Sequence, residues 1–227
     1  MSSLDGMTTW RVIAYTASVS RWRPDARQRL ESAAIELFAQ QGFAATTVPE
    51  ITARAGLTTR TFFRHFADKR EVLFGGDEIA GFATRVMAAA PASLDPMTLI
   101  VSGLKTVAET RFEGRREEFR QRRAIIRSDE GLRERDLRKR AALAEEIRGG
   151  FISRGAETTT AALLAETSVT VLQVALDEWL NQDGDRRLAE IILNALESLQ
   201  TALASSPARP SARERDSAPS DKSAGLP

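Results

Sequence analysis

The stretch Thr58-Thr59-Arg60-Thr61-Phe62-Phe63-Arg64-His65, followed by Asp68-Lys69-Arg70, gathers side chains suited to specific polar contacts. Thr58 is placed to cap a short helix over residues 59–66, because a hydroxyl there accepts the orphan amides of a first turn. Phe62 and Phe66 fall four residues apart and form its buried side. The other side then displays Thr59, Arg60, Thr61, Phe63 and Arg64. Small hydroxyls beside a guanidinium suit the edges of base pairs. Arg bonds two acceptors of a guanine, and Thr meets a thymine methyl or a phosphate. Lys69 and Arg70 lie in a further cap, Asp68-Lys69-Arg70-Glu71, where exposed amides favour an anion such as phosphate.

Such a helix needs a scaffold. A first helix starting at Pro24 would put Leu30, Ala33, Ala34, Leu37 and Phe38 on one face and end at Gly42. Thr47-Val48-Pro49-Glu50 has the spacing of a capping box, and Pro49 in the first turn removes only an amide without a helical partner. Val48, Ile51 and Ala55 then face the core, Gly56 permits a sharp turn and Leu57 plugs it. Residues 47–66 thus read as a helix-turn-helix. Two short helices around a glycine turn also occur in proteins that never touch DNA, so spacing leaves both readings open.

The rest of the chain is helical in pattern, and no stretch alternates strictly between turns, so an all-α fold is expected. Helices are predicted at 68–90, 96–112, 115–127, 132–151, Thr158–Asn181 and 185–204. In the last, Leu188, Ile191, Ile192, Ala195, Leu196, Leu199 and Leu203 form a continuous apolar stripe. Residues 1–22 lack periodicity and read as a flexible arm, with Met7 leaving the start undecided. The tail 205–227 is rich in Ser, Ala, Pro and charge and is expected to be disordered. The domains are therefore 1–22, a DNA-binding 23–67, a larger helical 68–204, and the tail.

With 227 residues, 42% hydrophobic and 28% charged, the chain can bury a core. It has no cysteine and a single histidine, His65, which excludes disulfides, thiolate metal sites and multi-histidine clusters. No phosphate loop and no nucleophile with a base emerges, so neither an enzyme nor a cofactor is expected. No apolar run approaches a membrane span and no signal-peptide core is visible, which reads as cytoplasmic. The net charge of +1 is uninformative, but residues 23–70 hold eight Arg/Lys against five Asp/Glu, a mild basic bias.

Residues 24–75 resemble the DNA-binding domain of the TetR family of regulators. The matching text is ESAAIELFAQQGFAATTVPEITARAGLTTRTFFRHFADKREVLF. The resemblance implies a homodimeric, ligand-responsive, sequence-specific regulator of the repressor kind on a near-palindromic double-stranded DNA operator. It implies that Thr47 and Thr58 also bond phosphates, that Thr59, Arg60 and Thr61 face the bases, and that His65 and Lys69 contact phosphate oxygens. Phe63 stands where the family usually has Tyr, whose hydroxyl bonds a phosphate. That bond is lost here, leaving neighbours such as Arg64. Arg21 and Arg23 would add an arm contact. The rival is a helical ligand-binding or protein-interaction module that does not bind DNA.

Effector and partner sites are expected in the larger domain. Candidate pocket residues are Phe82, Val86, Leu104, Val107, Phe119, Ile126, Leu143, Ile147, Leu172, Leu176 and Trp179, fitting a small apolar or amphipathic ligand. The run from Phe119 to Trp179 resembles the C-terminal domains of regulators that sense acyl-CoA-like ligands. The Arg-rich stretch 115–148 reads as a salt-bridged face, or as an anchor for an anionic ligand. The last two helices would pair with a second copy as a four-helix bundle, through Leu188, Ile191, Ile192, Ala195, Leu196 and Leu199.

Overall fold

The computed structural model describes residues 25–74 and 78–205, which form nine α-helices and no strand. The chain divides into two compact units, Met1–Gly76 and Asp77–Pro227. Pro24, Arg21 and Arg23, the expected arm and the tail residues 206–227 lie outside the described residues.

In the N-terminal unit, α1 (Ala26–Gln41) buries Leu30, Ala33, Ala34, Leu37 and Phe38, the face the spacing predicts, and Ile35 with them. Helix α2 (Val48–Ala55) begins at the expected box. The Thr47 amide and hydroxyl both donate to the Glu50 carboxylate at 2.7 Å, and the Glu50 amide donates to the Thr47 hydroxyl at 3.4 Å. Gly56 ends α2 at φ 62°, a left-handed conformation open to glycine at little cost. The Leu57 amide then reaches back to the Thr52 carbonyl at 2.8 Å. Arg29 of α1 donates to the Ala55 carbonyl at 2.5 Å, so a guanidinium satisfies the end of α2. Helix α3 (Thr59–His65) is capped by Thr58, whose hydroxyl accepts the Thr61 amide at 3.2 Å. Leu30, Ala34, Ile51, Phe62 and Val72 are fully buried and Phe66 nearly so.

The predicted long helix over 68–90 is not continuous. Asp68 does cap, accepting the Glu71 amide at 2.9 Å, but the turn it starts is a 3-10 turn, Glu71–Leu73. The next helix, α4, spans Glu78–Ala89. Gly75 and Gly76 stand between them in sequence, and glycine disfavours a helix interior by about 1 kcal/mol relative to alanine. The unit boundary accordingly falls after Gly76 rather than at 67/68.

In the second unit, Asp95 caps α5 (Pro96–Val107), which runs into a π-helical turn, Ala108–Phe112. Asp129 ends α6 (Arg116–Ser128) and caps α7 (Glu130–Ser153), and α8 (Thr158–Asn181) and α9 (Leu188–Ala204) follow. Helix α7 lies against α4 and α8, and α9 against α8 and α5. Arginines fix the helix ends. Arg120 donates to the Leu180 carbonyl at 3.0 Å, Arg116 to those of Gln182 and Gly184, and Arg154 to Met87, Ala90 and Pro91 at the end of α4. Arg115, Arg120, Arg123, Arg138, Arg140 and Arg148 pair with carboxylates, as a salt-bridged face would.

The structure corrects two expectations about the apolar helices. Leu188, Ile191, Ile192 and Leu196 do not stand on a free surface: they are buried in the chain's own core, with Ala195 packed against it. The widest apolar stripe of α9 goes to the core that the chain itself can supply, where burial needs no partner. Of the six expected interface residues, Leu199 alone is exposed, and the other exposed leucines of α9 are Leu193 and Leu203. Helix α8 is also long and apolar enough to cross a membrane by length and composition. Ten of its residues are buried in the protein core, from Ala161 to Leu180, which accounts for its hydropathy.

Lys69 shows what holds the N-terminal unit together. Its ammonium donates to the carbonyls of Phe43 at 2.7 Å and Thr46 at 2.6 Å, and sits 4.2 Å from the centre of the Phe43 ring. It thereby ties the segment after α3 to the link that presents Thr47. Hydrogen bonds to a charged group contribute about 1.5–3 kcal/mol, so Lys69→Ala should destabilise the N-terminal unit by about that amount. Urea unfolding monitored on this unit checks it; an unchanged midpoint with weakened DNA binding would instead assign Lys69 to phosphate.

Candidate nucleic-acid interface

The capped α2, the Gly56 turn and α3 place one short helix on the surface with its apolar side locked inward by Phe62 and Phe66. Thr59, Arg60, Phe63 and Arg64 are exposed on the outer side. Phe63 lies four residues after Thr59 and three after Arg60, so the three share one face. Arg60 makes no hydrogen bond or ion pair among the described residues, which leaves its guanidinium fork available. The Phe63 ring is 59% exposed and meets the Phe62 ring edge-on, centroids 5.4 Å apart.

The other expected contacts are placed differently. Thr61 is half-buried, two residues on from Thr59 and off its face, with its hydroxyl 3.0 Å from that of Thr58. His65 lies four residues after Thr61 on the same flank, and its Nε2 is 3.5 Å from an Arg64 nitrogen. Thr47 is exposed, but its hydroxyl proton goes to Glu50. The hydrogen bonds from the Thr47 side chain and backbone hold the Glu50 carboxyl below the usual carboxylate range. A charged carboxylate beside Thr47 disfavours an approaching phosphate. The Lys69 ammonium faces carbonyls rather than the α3 surface. Sequence reasoning missed Arg29 altogether. Its only signal was a cation on the polar side of α1.

The second unit contains an apolar cavity of about 70 Å³ among α4, α5, α7 and α8. Phe82, Val86, Leu104, Val107, Leu143, Ile147 and Leu172 line it, as expected. Phe119, Ile126, Leu176 and Trp179 do not: Phe119 stacks on Phe112 at 4.5 Å, and Leu176 and Trp179 belong to the packed core. Met87, Leu99, Ile100, Phe151 and Val169 complete the wall. The polar side chain present is that of Ser168, and its hydroxyl donates to the Leu164 carbonyl at 2.6 Å. No ionisable side chain lines the cavity.

Residues 31–74 match the family described as bacterial regulatory proteins, tetR family. The chain is 50% identical over 46 residues to the HTH-type transcriptional regulator TcmR of Streptomyces glaucescens, a match covering 20% of each chain. It is 38% identical over 52 residues, 23% of this chain and 18% of the relative, to the uncharacterized HTH-type transcriptional regulator YerO of Bacillus subtilis. These matches thus span about a fifth of the relatives' length. Two solved structures share the fold. NalD, the secondary repressor of the MexAB-OprM multidrug efflux pump in Pseudomonas aeruginosa, is 18% identical with a TM-score of 0.52, over 78% of this chain and 94% of that one. SmeT, the repressor of the Stenotrophomonas maltophilia multidrug efflux pump SmeDEF, is 19% identical with a TM-score of 0.52, over 78% and 89%. The part of the chain that matches this family, residues 31–74, is the part that forms α2, the glycine turn and α3 on the α1 scaffold.

Proposed function

We propose that this chain is a cytoplasmic, ligand-responsive repressor that binds a near-palindromic DNA operator as a homodimer. The observation that carries the reading is the outer face of α3: exposed Thr59 and an Arg60 without a partner among the described residues, on a helix capped and anchored from behind. The rival module without DNA binding leaves that face, and the family match over it, without a use.

The second copy docks on the outward sides of α8 and α9. Leu163 and Val174 of α8 are 64% and 54% exposed, and Leu193 and Leu203 of α9 are 42% and 70% exposed. Exposed apolar side chains gathered on two neighbouring helices favour a partner surface. The effector is a neutral, hydrocarbon-rich molecule, because the cavity offers it no charge and no free donor. An acyl chain fits that chemistry, whereas a nucleotide headgroup would remain outside. At about 70 Å³ the cavity is smaller than the ~150 Å³ that admits benzene, so entry must spread the helices that line it. Spreading α4 against α7 and α8 is how occupancy would change the DNA-binding state.

Three outcomes are expected. Arg60→Ala should weaken binding to selected operator DNA by about 1–3 kcal/mol and relax the preference at one position per half-site, read by fluorescence anisotropy. Intact affinity and preference would move the reading face elsewhere. Leu163→Glu with Leu193→Glu should halve the mass in light scattering without loss of helicity, whereas Ile192→Asp should unfold the chain. An unchanged mass would place the interface on another face. A Cβ on Gly103 meets its nearest atom, Val86 Cγ1, at an ordinary 3.8 Å. Gly103→Ala should therefore raise the melting temperature, gaining about 1 kcal/mol of helix preference. It should also weaken uptake of the neutral dye N-phenyl-1-naphthylamine; unweakened uptake would show that the dye, and the effector it stands for, enter elsewhere.

A further inference from the structure

Among the described residues of the N-terminal unit, Phe63 is the one large apolar side chain left exposed. Its ring stands on the same face of α3 as Thr59 and Arg60, and the buried Phe62 ring meets it edge-on at 82°. A phenyl ring neither donates nor accepts, so it cannot distinguish bases through their hydrogen-bonding edges. The one apolar group that a base pair presents in the major groove is the C5-methyl of thymine. Burying that methyl would also remove the exposed ring from water.

We propose that Phe63 is a specificity-determining residue that packs on a thymine C5-methyl in each half-site, an inference that rests on the DNA-binding function proposed above. The operator then carries a T·A pair next to the position read by Arg60. The ring acts through its body rather than through a polar tip. Tyr at this position would keep the preference and could add a phosphate contact, while Ala would lose the preference.

The test uses the full chain and duplexes selected by it from a random pool. Each thymine is replaced in turn by deoxyuridine, which lacks only the methyl group. At one position per half-site the replacement should weaken binding about fourfold, the effect of uncovering one methyl-sized group. In Phe63→Ala that position alone should become indifferent to the methyl, and in Phe63→Tyr the sensitivity should remain. Phe63 is exposed, so unchanged melting of both variants serves as the folding control. Equal affinity for thymine and deoxyuridine at every position, with sequence selection intact, would overturn the assignment and leave the DNA-binding reading standing. Sensitivity that survives in Phe63→Ala would assign the methyl to another residue, such as Thr59. A pool that yields no preferred sequence would instead overturn the DNA-binding reading itself.

Discussion

A helix of seven residues does not persist in water by itself, since nucleation costs more than so few hydrogen bonds return. Yet α3 must present Thr59, Arg60 and Phe63 in a fixed register to read anything. The N-terminal unit meets that constraint from behind the helix. Phe62 and Phe66 bury themselves in the core that also holds Leu30, Ile51 and Val72, and each fully buried side chain of this kind contributes about 1.5–3 kcal/mol. The Thr58 hydroxyl closes the first turn. Two cations then hold neighbouring backbone: Arg29 on the end of α2 and Lys69 on the link before it. Positive charge near α3 is thus divided in two. Some of it is structural and faces carbonyls, and some, on Arg60 and Arg64, faces outward.

The same economy shapes the second unit. Helices α8 and α9 carry apolar residues on more than one side, and the wider stripe of α9 closes the chain's own core. What stays outside is sparse on α9, with Leu193, Leu199 and Leu203 exposed, and Leu163 and Val174 on α8. The cavity lies where α4, α5, α7 and α8 converge. Met87 packs so tightly on Gly150 that a Cβ there would overlap its sulfur, and Arg154 holds the end of α4. Helix α4 is thus anchored at its C-terminal end, and its Phe82, Ala83, Val86 and Met87 line the cavity.

Helix type and the two N-terminal caps were legible because capping residues, glycine turns and apolar spacing act locally. The 3-10 turn at Glu71–Leu73 was not legible, because the apolar periodicity over 68–90 reads as one continuous helix. Which apolar stripe meets the core and which meets a partner was not legible, because both are built from the same aliphatic side chains at helical spacing. Only tertiary context separates Ile192, which is fully buried, from Leu163, which is exposed. Lys69 was legible as a cation in the right place, but its carbonyl partners lie more than 20 residues away in sequence. Four of the expected pocket residues do not line the cavity for the same reason: hydrophobicity does not say whether a neighbour fills the space beside it.

The central claim is that the outer face of α3 enters the major groove. Methylation interference at guanine N7, an atom exposed only in that groove, addresses it directly. On DNA selected by the protein, the account predicts interference at guanines in two segments roughly 34–36 Å apart, with the signal at one guanine per segment lost in Arg60→Ala. Interference confined to adenine N3 in the minor groove, or an N7 pattern identical in Arg60→Ala, would contradict it.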